Sequence, residues 1–174
     1  NSASVSSNTN CIGNSNAVNN SINSITTPTA TNSSPVCEGG TLNLFGSGGS
    51  SYSWSGPNAF SSANQNPVIS GATLSNSGVY TLTVTRASGC TSTATTLVTV
   101  NSLPSAISGS NSPVCIGSTL NLTSSGGTSY SWAGPNGFAS TSQNPSIASA
   151  TALMAGTYTV TVLSSGTCTA TATT

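Results

Sequence analysis

The chain contains one segment twice. Pro35-Val36-Cys37 recurs as Pro113-Val114-Cys115, Tyr52-Ser53-Trp54 as Tyr130-Ser131-Trp132, and Gln65-Asn66-Pro67 as Gln143-Asn144-Pro145, each pair 78 residues apart. Tyr80 and Tyr158 keep the same spacing, as do Cys90 and Cys168, so residues 35–96 align on 113–174 without a gap. Self-similarity of this length signals tandem structural units. The leading residues continue the pattern. Ser2-Ala3-Ser4-Val5 and Cys11 match Thr81-Leu82-Thr83-Val84 and Cys90 at an offset of 79. The expected organisation is the closing strands of a preceding repeat over 1–26, a repeat over 27–102, and a repeat over 103–174 lacking the end of its last strand, a piece of a longer array.

Within each copy the apolar residues alternate with period two, the mark of half-buried strands. Thr41-Leu42-Asn43-Leu44 sets two leucines on one face, and Ser51-Tyr52-Ser53-Trp54 does the same with two aromatics. Tyr80-Thr81-Leu82-Thr83-Val84 and Tyr158-Thr159-Val160-Thr161-Val162 send three apolar groups one way and threonines the other. Gly48-Gly49, Gly56-Pro57-Asn58 and Ser75-Asn76-Ser77-Gly78 punctuate these runs as turns. No stretch holds helical spacing over three turns. The fold class is therefore all-β, with each copy a sandwich of short strands.

Ser, Thr and Asn make up about half of the 174 residues, and charged residues only 1%: one cation, Arg86, one anion, Glu38, and no His. A polar chain of this kind can be disordered, but disorder predicts neither the alternation nor the repeat. The missing charge removes whole classes of chemistry. A Ser-His-Asp triad, a carboxylate pair, an HExxH zinc site, a Walker lysine and a basic nucleic-acid patch each need side chains that are absent. No catalytic residue, metal site or cofactor is expected. Calcium between domains needs several carboxylates, and Glu38 has Ile116 as its counterpart. No run approaches 18 apolar residues, so no membrane insertion is expected.

These residues resemble the immunoglobulin-like superfamily. Trp54 and Trp132 stand where that fold buries its strand C tryptophan, and Ser77-Gly78-Val79-Tyr80 and Ala155-Gly156-Thr157-Tyr158 look like its tyrosine corner. The resemblance implies tandem immunoglobulin-like β-sandwiches with Trp54, Trp132, Tyr80 and Tyr158 in their cores. It also shows a departure, because Leu82 and Val160 occupy the place of the second core cysteine. The cysteines lie elsewhere. Cys37 precedes the Leu42 strand and Cys90 follows the Val84 strand, 53 residues on, and Cys115 and Cys168 repeat that spacing. The arrangement is read as one disulfide per repeat, Cys37 with Cys90 and Cys115 with Cys168, with unpaired thiols in a reducing compartment as the alternative. Cys11 would then find its partner outside this sequence.

The series Pro-Val-Cys-x-Gly-x-Thr-Leu-x-Leu, Tyr-x-Trp-x-Gly-Pro-Asn, Gly-x-Tyr-Thr-x-Thr-Val and Cys-Thr is similar to the bacterial Ig-like and PKD-like repeats of very large secreted surface proteins. Such proteins are typical of gliding bacteria that export adhesins by the type IX system. The resemblance implies an extracellular, cell-surface array that serves as a filament or adhesin stalk, with neighbouring repeats or copies of itself as partners. The uncharged run Thr91 to Val100 supports self-association, since it lacks the lysines and prolines that guard sheet edges. Two other readings stay open. A carbohydrate-binding module or spacer would use Tyr52 and Trp54 as a stacking platform for surface polysaccharide, and ice or mineral adsorption would use the outward threonines 81, 83 and 85 beside 91, 93 and 95.

Overall fold

The computed structural model describes residues 5–6, 27–87, 89–164 and 167–174, and the chain divides into two compact units between Val100 and Asn101.

The first unit contains β1 (Val5–Ser6), β2 (Thr29–Asn32), β3 (Val36–Cys37), β4 (Leu42–Ser47), β5 (Ser51–Gly56), β6 (Phe60–Ser62), β7 (Val68–Ile69), β8 (Gly78–Thr85) and β9 (Thr91–Val98), with β10 (Val100–Asn101) at its boundary. One sheet runs β1-β9-β8-β5-β6 and the other β2-β4-β7, while β10 pairs with β3. The alternation read from the sequence decides which side chains meet. Leu42 and Leu44 from β4 pack with Trp54 from β5 and with Tyr80, Leu82 and Val84 from β8, all fully buried. At about 25 cal/mol per Å² of apolar surface, an aromatic and aliphatic set of this kind supplies most of the driving force available to so polar a chain. The threonines between them face outward, and the β8–β9 register sets Thr81 opposite Thr95, Thr83 opposite Thr93 and Thr85 opposite Thr91.

The entry and exit strands of this unit lie side by side. The Asn32 side-chain amide donates to Thr96 Oγ1 at 2.6 Å and to the Leu97 carbonyl at 2.9 Å, and the Val36 amide donates to the Thr99 carbonyl at 3.1 Å. On its outer edge β9 carries β1, with Val5 opposite Ala94 and Ser6 opposite Thr93. The rest of segment 1–26 lies outside the described residues.

The second unit repeats the plan with β11 (Ile107–Ser110), β12 (Leu120–Ser125), β13 (Ser129–Ala133), β14 (Ala139–Ser140), β15 (Ser146–Ile147), β16 (Thr159–Leu163) and β17 (Thr169–Thr173). Its sheets run β14-β13-β16-β17 and β11-β12-β15. Leu120, Leu122, Trp132, Tyr158, Val160 and Val162 form its core. Among the described residues no strand pairs with the outer edge of β17.

Candidate functional site

The most distinctive side chains of each repeat converge on the core. Trp54 is 0% exposed and Trp132 1%, and each indole N–H donates to a backbone carbonyl, Trp54 Nε1 to Gln65 at 3.1 Å and Trp132 Nε1 to Gln143 at 3.2 Å. A buried indole needs such a partner, because its donor leaves water on folding. The same glutamines hold the loop that offers the carbonyl. Gln65 Nε2 donates to the Gly46 carbonyl at 2.8 Å, and the Gly46 amide donates to Asn66 Oδ1 at 3.1 Å. Gln143 Nε2 donates to the Ser124 carbonyl at 2.8 Å, and the Ser124 amide to Asn144 Oδ1 at 2.9 Å. The recurring Gln-Asn-Pro is thus a clamp that fixes the tryptophan acceptor. In the sequence it stood out only as a repeated triplet, and its polarity gave no sign of a task beneath the surface.

The tyrosines complete the framework. Tyr80 Oη donates to the Asn76 carbonyl at 3.0 Å and Tyr158 Oη to the Met154 carbonyl at 2.9 Å, each four residues back along the chain. Phe60 and Phe138 pack edge-on against these rings, with centroids 5.4 Å apart in both copies. The tyrosines require glycine beside them. A Cβ at Gly56 would lie 2.4 Å from the Tyr80 ring, and one at Gly134 the same distance from Tyr158. Two three-stranded and four-or-more-stranded sheet pairs, each closed over a strand-borne tryptophan and locked by a tyrosine to its own preceding loop, decide the matter. The fold is all-β and immunoglobulin-like.

No protein-family model matches the chain, and no curated protein does. Solved structures with immunoglobulin-like domains are similar to it. The three N-terminal domains of the bacteriophage RB49 outer capsid protein Hoc share 19% identity with a TM-score of 0.47, over 84% of this chain and 57% of that one. Murine CEACAM1b shares 15% identity with a TM-score of 0.43, over 84% of this chain and 96% of that one. DIP-gamma IG1+IG2 shares 12% identity with a TM-score of 0.40, over 84% and 94% respectively. The chain spans little more than half of the Hoc fragment.

The cysteines require a correction. Cys37, Cys90 and Cys168 are disulfide-bonded, whereas Cys115 is a free, exposed thiol. The bridge from Cys115 to Cys168 is not formed, so the scheme of one disulfide inside each repeat does not hold. The physical reason is placement. A disulfide needs Cα atoms within about 7 Å, but Cys168 is fully buried, its Sγ 3.9 Å from the Asn101 carbonyl, while Cys115 faces solvent. Equal spacing in sequence did not bring equal sulfurs together. Cys11 lies outside the described residues.

The stacking platform imagined for polysaccharide is also withdrawn, because Trp54 is buried and Tyr52 is half-buried with its hydroxyl donating to the Gly49 carbonyl at 2.9 Å. Tyr130 does the same with Gly127 at 2.9 Å. Among the described residues no group of three His, Cys, Asp or Glu side chains could hold a metal, and no helix is long and apolar enough to cross a membrane.

Burial pushes the phenols of Tyr80 and Tyr158 above their ordinary value of 10.0, because the phenolate would lose its water. A raised value favours the neutral folded form. Its contribution is complete below the unfolded value and is lost as pH climbs through the folded one. Since 1% of the chain is charged, the melting temperature is expected to stay level from about pH 4 to pH 9 and across salt, then fall above about pH 10. Calorimetry over that range checks it, and a drift of more than a few degrees below pH 9 would contradict it.

Proposed function

We propose that the chain is a structural array of immunoglobulin-like repeats in a secreted filament or adhesin stalk at a bacterial cell surface. One observation carries this reading. Both copies commit their tryptophan, tyrosine and Gln-Asn side chains to an identical internal framework and leave outward Ser, Thr and Asn, with almost no charge. A surface of that kind has little with which to perform chemistry, but it can be duplicated without electrostatic cost. Bonded cysteines suit an oxidising, extracellular setting. The motif series that resembles the repeats of type IX-exported proteins supplies the bacterial context. Neighbouring repeats and further copies of the chain are the natural partners, since an uncharged edge such as Thr169–Thr173 in β17 neither repels nor excludes another strand. Ice adsorption has less in its favour, because the paired threonines of β8 and β9 also serve as ordinary cross-strand neighbours.

Electron microscopy of the native material is the test. Filaments or slender stalks that label with an antibody against this chain are expected at the cell surface. Isolated soluble particles, or label confined to the cytoplasm, would end the proposal.

A further inference from the structure

The two copies share a tight turn that differs by one methyl group, and the difference decides a covalent chemistry. In each copy a Pro-Asn pair leads from the tryptophan strand toward the following edge strand. The Phe60 amide donates to the Pro57 carbonyl and the Phe138 amide to the Pro135 carbonyl, both at 3.1 Å. The two residues inside each turn are left-handed, Asn58 at φ 55° with Ala59 at 56°, and Asn136 at 53° with Gly137 at 73°. A hairpin turn of this hand favours asparagine followed by glycine. The second copy obeys that preference, whereas Ala59 holds its Cβ in a region that side chains avoid.

Asn136-Gly137 is the one Asn-Gly pair of the 174-residue sequence. An asparagine side-chain carbonyl is an electrophile toward the backbone nitrogen of the next residue, and glycine leaves that approach unhindered because it has no Cβ. Both residues are exposed, and a Cβ on Gly137 would meet nothing within 4 Å, so the turn stands open to water. Other asparagines that precede a small residue are tied down by the fold. Asn32 Oδ1 accepts from the Ser34 amide at 2.7 Å, Asn76 Oδ1 from the Thr73 amide at 2.9 Å, and Asn111 Oδ1 from the Asn121 amide at 2.8 Å. Among the described residues the Asn136 side chain has no such tie.

We infer that Asn136 is a site of spontaneous covalent modification, converting to aspartate and isoaspartate through a cyclic imide. The Gly137 nitrogen gives its proton to solvent base and bonds to Asn136 Cγ, while the Cγ–Nδ2 bond breaks and Nδ2 departs as ammonia with a proton from water. Water then opens the ring. Cleavage between Cγ and the nitrogen leaves aspartate, and cleavage between the Asn136 backbone carbonyl carbon and the nitrogen leaves isoaspartate, with the chain routed through the side chain. In the folded turn the ψ of Asn136, 32°, points the Gly137 nitrogen away from that side chain, so ring closure waits for the turn to open. Opening is a local event, since β14 holds to β13 through Trp132 opposite Ser140 and Ala133 opposite Ala139 alone. The product has one cation and two anions, which takes the net charge from 0 to −1. Isoaspartate also lengthens the backbone just before Phe138, whose ring packs 5.4 Å from that of Tyr158, and so loosens this edge of the sheet. The site stands apart from the stalk reading, since it rests on the turn alone.

The test incubates the 174-residue chain in mildly alkaline buffer and samples it over time. Anion exchange is expected to resolve a growing species with one more negative charge, and peptide mapping to place aspartate and isoaspartate at Asn136 while Asn58 stays intact. Gly137→Ala should suppress the conversion, and the first copy shows that the turn accepts alanine there. The reciprocal Ala59→Gly should confer the conversion on Asn58. A peptide of residues 132–140 should convert faster than the folded chain, because nothing holds its turn closed. An unmodified Asn136 in the folded chain, equal conversion at Asn58, or a rate that Gly137→Ala leaves unchanged would overturn the site, and equal rates in peptide and folded chain would overturn its gating by the turn. None of these results would bear on whether the native material forms filaments.

Discussion

Replacing Trp54 by alanine is expected to destabilise the first unit by about 3–5 kcal/mol, a large share of the stability of a small domain. The indole is fully buried among Leu42, Leu44, Leu82 and Tyr80, so its removal leaves a void that the sandwich cannot collapse to fill. The same change also leaves the Gln65 carbonyl without its donor. Trp54→Phe separates these effects, keeping a ring but losing the bond, and should cost clearly less. Urea unfolding with intact disulfides reads both. A loss below about 1 kcal/mol for the alanine variant would show that the tryptophan does not organise the core.

Reduction is the second large effect. Treatment with a thiol reductant is expected to lower stability by about 2–4 kcal/mol, because the bonded cysteines restrict the unfolded chain. Alkylation before reduction should, among the described cysteines, modify Cys115 and spare Cys37, Cys90 and Cys168. Peptide mapping gives the answer directly. Labelling of Cys168 in the native, unreduced protein would refute the assignment, since that sulfur is fully buried as well as bonded.

Much of the fold was legible because it depends on local rules. Strict alternation in Tyr80-Thr81-Leu82-Thr83-Val84 leaves one way to place three apolar side chains in a sheet, and β8 places them so. Tyr80 near the start of that strand and Gly78 two residues before it also left marks at fixed offsets. What escaped was whatever depends on the meeting of distant segments. Cys115 and Cys168 share a spacing with Cys37 and Cys90, yet a spacing carries no information on which sulfur is buried. Gln65 and Asn66 look like ordinary loop residues until their hydrogen bonds to Gly46 are seen.

The contacts of β2 and β3 with the end of β9 and Thr99 carry a mechanical meaning. Asn32 reaches Thr96 and Leu97, and Val36 reaches Thr99, so position advances along both segments in the same direction. Tension applied where the chain enters and leaves the unit would slide these parallel segments past each other. Several hydrogen bonds would then have to rupture together, not in succession as in a peeled hairpin, and a module wired in this way yields late and abruptly when stretched.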